Sequence, residues 1–201
     1  MSGPNDKLAK PSPFAAILKQ AAAAPKKTGT VGRYEKRLAG GTGNVVLADV
    51  SASMNEWSGG VRRIDVLRRA LVQVWADAPR GVPLLLVAFS STPLVIAGPD
   101  DLPEPSGGTA LHSAIEAAGR YTPARTVVIS NGEPDSEDAA LDAADKITGA
   151  IDVIYVGDDK NRRAIAFLQK LARKGCGQYG AVNLSSGPAV LGPKIRGLLG
   201  A

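Results

Sequence analysis

Asp49, Ser51 and Ser53 stand at spacing two where the apolar run Asn44-Val45-Val46-Leu47-Ala48 ends. One carboxylate and two hydroxyls in that register form a compact set of hard oxygen donors, which suits Mg²⁺, Mn²⁺ or Ca²⁺ rather than a thiolate-seeking metal. Two later segments carry donors of the same kind. Ser106-Gly107-Gly108-Thr109-Ala110-Leu111 leads paired glycines into a helical pattern, with Thr109 placed either to cap that helix or to turn its hydroxyl to a metal. Ser130-Asn131-Gly132-Glu133-Pro134-Asp135 follows a further apolar run. A carboxylate, several hydroxyls and an amide converging from three loops would make an incomplete octahedron. One position would stay open for water or for a partner's carboxylate.

The elements that must bring these loops together are readable from periodicity. Runs at 44–50, 82–90, 125–130 and 151–156 are nearly continuous in apolar residues, as central strands covered on both faces require. A short run at 93–96 predicts an antiparallel edge strand, and a weaker strand is expected near 179–184. Between them, 62–77, 109–120, 136–148, 161–174 and 187–199 place apolar residues at helical spacing, each with one apolar stripe and one charged face. Strands separated by amphipathic helices predict an α/β fold: a Rossmann-like, doubly wound, mostly parallel sheet flanked by helices. Ligands of such sheets gather at the carboxyl ends of the strands, where the three loops emerge.

Composition narrows the function classes. Residues 1–40 hold eight Lys or Arg against Asp6 and Glu35, a net +6, while the whole chain carries +5. The basicity therefore belongs to an N-terminal arm (1–40), with a short Ala-rich helix at 14–24, and not to the domain (41–201). Scattered basic residues and 4% aromatics supply no stacking platform, so nucleic acid is not an expected partner. A lone Cys176 excludes an intrachain disulfide or a cysteine-based zinc cluster and points to a reducing, cytoplasmic setting. No stretch approaches the roughly 20 apolar residues of a membrane span.

Enzyme signatures are missing. No G-x-x-x-x-G-K-[ST] supports nucleotide hydrolysis, and no G-x-S-x-G elbow supports acyl transfer. His112, the single histidine, is expected to pack or to lie at the surface. Gly40-Gly41-Thr42-Gly43 precedes the first strand and so cannot cradle a dinucleotide after it. Asp49-x-Ser51 lacks the second aspartate of an aspartyl-phosphate hydrolase. Asp65 is expected to make a structural hydrogen bond or ion pair on the first helix. Glu133 and Asp135 are expected to point outward, and Cys176 to be a loop thiol. An exposed Trp57 in the loop from Asn55 to Gly60 would suit partner recognition, because interface hot spots favour Trp.

In order and spacing, Asp49-x-Ser51-x-Ser53-Met54, Ser106-Gly107-Gly108-Thr109-Ala110-Leu111 and Ile129-Ser130-Asn131-Gly132-Glu133-Pro134 resemble the three loops of the von Willebrand factor A (VWA) domain with its metal-ion-dependent adhesion site (MIDAS). Arg63-Ile64-Asp65-Val66-Leu67 resembles the family's first helix and Val87-Ala88-Phe89-Ser90 its second strand; the resemblance covers about residues 42–185. It implies a non-enzymatic binding module or adaptor. Asp49, Ser51, Ser53 and Thr109 would ligate Mg²⁺, Mn²⁺ or Ca²⁺, and a protein partner would supply an acidic residue to the open position. Asn55, Glu56 and Trp57 would frame that surface. For intracellular members the resemblance also implies assembly roles beside an AAA+ ATPase. One position departs from the pattern: Asn131 stands where the family has an aspartate. The lost charge interaction is worth on the order of 4 kcal/mol at about 4 Å and an effective dielectric near 20, before desolvation. The metal is therefore expected to be weak, and a metal-independent structural subunit is the alternative; a metal-dependent hydrolase is a more distant one.

Overall fold

The computed structural model describes residues 43–58, 60–78, 82–183 and 188–199. The arm at 1–40 and its helix at 14–24 lie outside them. Six strands form one sheet: β1 (Asn44–Asp49), β4 (Leu84–Phe89), β5 (Pro93–Ile96), β6 (Arg125–Ser130), β7 (Ala150–Tyr155) and β8 (Cys176–Ala181), in the spatial order β5-β4-β1-β6-β7-β8. All pairings are parallel except β4–β5, the edge predicted at 93–96. Five helices connect or follow them: α1 (Arg63–Ala76), α2 (Leu111–Gly119), α3 (Glu137–Lys146), α4 (Arg162–Lys174) and α5 (Pro188–Leu199). The expected fold class is the observed one.

Alternation along the central strands explains the layers. On β1, Val45 and Leu47 face a core built with α2, α3 and α4, whereas Val46 and Ala48 face a second core built with α1 and α5. A strand buried on both faces must be apolar throughout, and β1 is fully buried from Asn44 to Asp49. Each fully buried Leu, Ile or Val contributes about 1.5–3 kcal/mol, so the two cores anchor β1 rigidly in the middle.

The topology fixes where a site can form. From β1 the chain crosses to β4 on one side, and β6 then pairs with β1 on the other. The β1/β6 boundary is thus the point at which the winding reverses, and the loops leaving the two carboxyl ends diverge there to open a crevice. Asp49 ends β1, and Asn131 follows the end of β6.

Four sequence expectations are corrected. The weak strand near 179–184 is β8 at Cys176–Ala181, and Cys176 is its first residue rather than a loop thiol, with φ +53°. That strand has no apolar run because closeness to β7 dominates its composition: a Cβ on Gly177 would stand 2.1 Å from the Ile151 carbonyl oxygen. The loop after Asn55 contains a small antiparallel hairpin, β2 (Trp57–Ser58) with β3 (Val61–Arg62), closed through Gly60 at φ +82°. Helix α2 begins at Leu111, and its N-cap is Ala110, without a side-chain cap, so Thr109 is not the cap. Asp135, expected to point outward, is exposed but turns its carboxylate back to accept the Thr109 N–H.

The chain has two fully buried carboxylates among the described residues, Asp49 and Asp152. Asp152, on β7, has its cation built in. Arg125 donates to it at 2.5 Å and the Gln178 backbone N–H at 2.7 Å, an arrangement that ties β6, β7 and β8 together. Asp49 has no such partner among the described residues.

Candidate metal centre

Asp49 is 0% exposed, and its hydrogen bonds come from neutral donors. The Ser51 backbone N–H donates to Oδ1 at 2.8 Å, and the Ser130 hydroxyl donates to Oδ2 at 2.6 Å. Burial pushes the Asp49 carboxyl above the usual carboxylate range, with the bonds from Ser130 and Ser51 pulling against it. Around it the oxygens cluster. Ser51 Oγ and Ser53 Oγ share a hydrogen bond of 3.1 Å, and Asn131 Nδ2 donates to Ser53 Oγ at 2.6 Å. Four predicted site residues, Asp49, Ser51, Ser53 and Asn131, are therefore brought together by two loops at the switch point.

Thr109 makes no hydrogen bond to these four, and its neighbours hold its loop beside them. The Ala52 N–H donates to the Gly107 carbonyl, the Ser106 N–H to the Val50 carbonyl and the Ala110 N–H to the Ser90 carbonyl. These bonds staple the glycine-containing loop to the ends of β1 and β4. Asp135 completes the placement: its Oδ1 accepts the Thr109 N–H at 2.8 Å, while its own N–H donates to the Thr109 carbonyl at 3.0 Å. The paired glycines have separate reasons. Gly107 sits at φ +74°, and Gly108 lets Asp135 close in, since a Cβ there would stand 2.9 Å from its Oδ1.

Gly132 holds the third loop. It has φ +84°, and a Cβ there would lie 2.9 Å from both Ala164 Cβ and Leu168 Cδ1 on α4. Its N–H donates to Ser130 Oγ at 3.0 Å, which orients the hydroxyl that serves Asp49. Gly132→Ala combines an unfavourable backbone region with a clash against a packed helix. It is expected to destabilise the fold by about 2–4 kcal/mol, read as a lowered urea midpoint, and to loosen Asn131 with it.

Of the residues expected to meet a partner, Asn55 and Glu56 serve arginines. Arg62 donates to Asn55 Oδ1 at 3.1 Å, and Arg63 pairs with Glu56 at 2.7 Å. Trp57 is 71% exposed and is presented outward. Asp65 has the structural role read from sequence: Arg62 and Arg68 both bond it, and Arg62 holds its carboxyl below the usual range. The same arginines grip Glu104, tying the 102–108 loop to α1. Ser130 and Asp135, which sequence reasoning did not place in the site, act on residues 81 and 26 positions away. For Ser130 the available signal was a hydroxyl residue closing an otherwise apolar strand.

The donor set fits a hard divalent ion. Asn131 is 5% exposed, and its Oδ1 is buried without a hydrogen-bond partner, an acceptor that asks for a cation or a donor. Among the described residues no group of three or more His, Cys, Asp or Glu side chains is arranged to hold a metal. A metal held here would rest on one carboxylate with neutral hydroxyl and amide oxygens, the composition of a weak site.

The chain matches no family model and no curated protein. Solved structures do resemble it. A von Willebrand factor type A structure from Catenulispora acidiphila aligns at TM-score 0.63 and 19% identity, over 78% of this chain and 41% of that one. The manganese-loaded TRAP protein of Plasmodium vivax aligns at 0.55 and 17%, over 77% and 74%. An aerotolerance-related membrane protein from Bacteroides fragilis aligns at 0.57 and 18%, over 80% and 99%. This chain thus spans less than half of the Catenulispora structure and nearly all of the Bacteroides one. It has the von Willebrand factor type A fold.

Proposed function

We propose that this chain is a non-enzymatic binding module, an adaptor or assembly subunit that engages a protein partner's carboxylate through a divalent cation. Asp49, Ser51, Ser53 and Thr109 would hold the ion, with Asn131 contributing its amide oxygen. When bound, the ion supplies a Lewis-acidic open position that can accept a carboxylate oxygen. The observation that carries this reading is the contrast between the two buried carboxylates. Asp152 has Arg125, whereas Asp49 is equally buried and has only neutral donors beside an unpartnered amide oxygen. A buried charge without a counter-charge costs several kcal/mol, and a cation from solution removes that cost. The manganese in the Plasmodium TRAP structure shows that a protein of this fold holds such an ion, which supports Mg²⁺ or Mn²⁺ here.

The chain's own residues do the positioning. Ser130 and Ser51 orient the carboxylate, Asp135 sets the Thr109 loop, and the Arg62–Glu104 and Arg68–Glu104 pairs fix the loop beside it. Trp57, exposed next to this face, is the side chain best placed to anchor a partner. No helix among the described residues is long and apolar enough to cross a membrane. We place the module in the cytoplasm, where its partner would be a protein of a larger assembly; an AAA+ ATPase is the class that the resemblance implies. The basic arm at 1–40 would add a second attachment.

Calorimetric titration with Mn²⁺ tests the reading. One site per chain is expected, with Kd around 10⁻⁴–10⁻³ M, as sites with few charged ligands show. Acetate added to the Mn²⁺-loaded chain should then lower the water-proton relaxation enhancement by taking the open position. No heat up to 10 mM metal would leave the metal-independent structural subunit, which the Asn131–Ser53 bond closing the site on itself favours.

A further inference from the structure

Beside the metal centre two cavities open along the carboxyl ends of β6, β7 and β8. The inner one, ≈ 260 Å³, is lined by Ser53, Arg63, Asn131, Glu133 and Asp158 among others. The outer one, ≈ 430 Å³, shares Arg63, Tyr155 and Asp158 with it and adds Trp57, Asp159 and Ile165. Together they make one cleft running outward from Ser53.

Among the described residues the cleft is acidic: Glu56, Glu133, Asp158 and Asp159 face a single cation, Arg63, and Glu56 already engages that guanidinium at 2.7 Å. Glu133 accepts from the Asn161 amide and Asp158 from the Lys160 backbone N–H, both neutral donors. Neither cavity is lined by Lys160 itself. At the inner end Asn131 lines the same space. At the outer end Trp57 offers an exposed aromatic surface, the best side-chain face for an organic cation.

These features conflict with an all-acidic partner segment. A carboxylate brought to the metal centre enters a cavity that Glu56, Glu133 and Asp158 also line, so neighbouring acidic residues on the partner would be repelled. A basic neighbour would be drawn in. Resting on the metal-bridging reading above, we propose that the outer cavity takes a Lys or Arg side chain of the same partner segment. That side chain pairs with Asp158 and Asp159 against Trp57. The partner is thus recognised by an acidic residue with a basic residue a few positions away.

Three blocked pentapeptides test this in the presence of Mn²⁺: Gly-Glu-Gly-Arg-Gly, the same with Ala for Arg, and the same with Ala for Glu. Binding is read from Trp fluorescence and from amide chemical-shift changes. The Glu–Arg peptide should bind about tenfold tighter than the Glu–Ala peptide. The paired substitution Asp158→Asn with Asp159→Asn should bring those two peptides to equal affinity. Equal affinity for the unsubstituted chain overturns the proposal, as does the absence of any binding by the Arg-bearing peptides at millimolar concentration. If the Glu–Arg peptide binds equally with and without chelator and loses affinity in the paired variant, the basic subsite stands and the metal-bridging reading falls.

Discussion

Asn131→Asp should tighten Mg²⁺ or Mn²⁺ binding by at least about tenfold. Substitution adds one negative charge beside Asp49 and Ser53, where Asn131 Nδ2 now donates to Ser53 Oγ. A unit charge at about 4 Å is worth on the order of 4 kcal/mol at an effective dielectric near 20, and a third of that is a tenfold gain. In chelator the sign reverses. Two carboxylates would then stand close together without an ion between them, with Arg63 on the same cavity already paired with Glu56, and the apo variant should melt below the wild type. With metal, linkage lifts both proteins unequally. For a wild-type Kd near 1 mM, 10 mM metal adds about 1.4 kcal/mol, against about 2.7 kcal/mol for a variant bound tenfold tighter. At roughly 2–4 °C per kcal/mol for a domain of this size, the melting curves should cross between chelator and 10 mM metal. Parallel curves in both conditions would mean that position 131 does not face the ion.

Much of this site was legible because its parts are local. Asp49, Ser51 and Ser53 lie in one turn after a strand that both cores force to be apolar, so their types and spacing marked them at once. Asn131 was legible for the same reason, at the end of β6. Residues whose role depends on distant partners were not. Asp135 is exposed, yet it holds the Thr109 loop from 26 positions away. That bond uses the Thr109 N–H, and Ala110 then adopts φ −76°, ψ 62°, which is not helical; α2 therefore starts later than its apolar stripe suggests. The helical stripes and the strands β1, β4, β6 and β7 emerged from periodicity because burial on fixed faces imposes it. β8 did not, since close approach to β7 demands glycine where an apolar residue would have signalled a strand. The hairpin at Trp57–Ser58 and Val61–Arg62 has two residues per strand, too few for any period to register.

Asp49→Asn should invert the order of stability with and without metal. Burial raises the folded-state pKa of Asp49 above its unfolded value. Between those two values the native state binds more protons than the unfolded one, so stability falls as pH rises through that window. Above the folded value the penalty is fully present, and below the unfolded value it vanishes. A neutral amide of the same shape removes the penalty. It can keep the bond from the Ser51 N–H, and its own N–H₂ can donate to Ser130 Oγ, though the Ser130 proton must then find another acceptor. At pH 8 in chelator the variant should therefore melt above the wild type. The gap should shrink on acidification. In 10 mM Mn²⁺ the wild type should rise while the variant stays where it was, because the charged ligand is gone and the neutral oxygens alone hold a divalent ion poorly. Thermal melts at pH 5 and pH 8, each with chelator and with metal, separate these cases. A variant less stable than the wild type in chelator at pH 8 would show that the Ser51 and Ser130 hydrogen bonds outweigh the buried charge. The carboxylate would then be held for its bonds, with no cation called for at the end of β1.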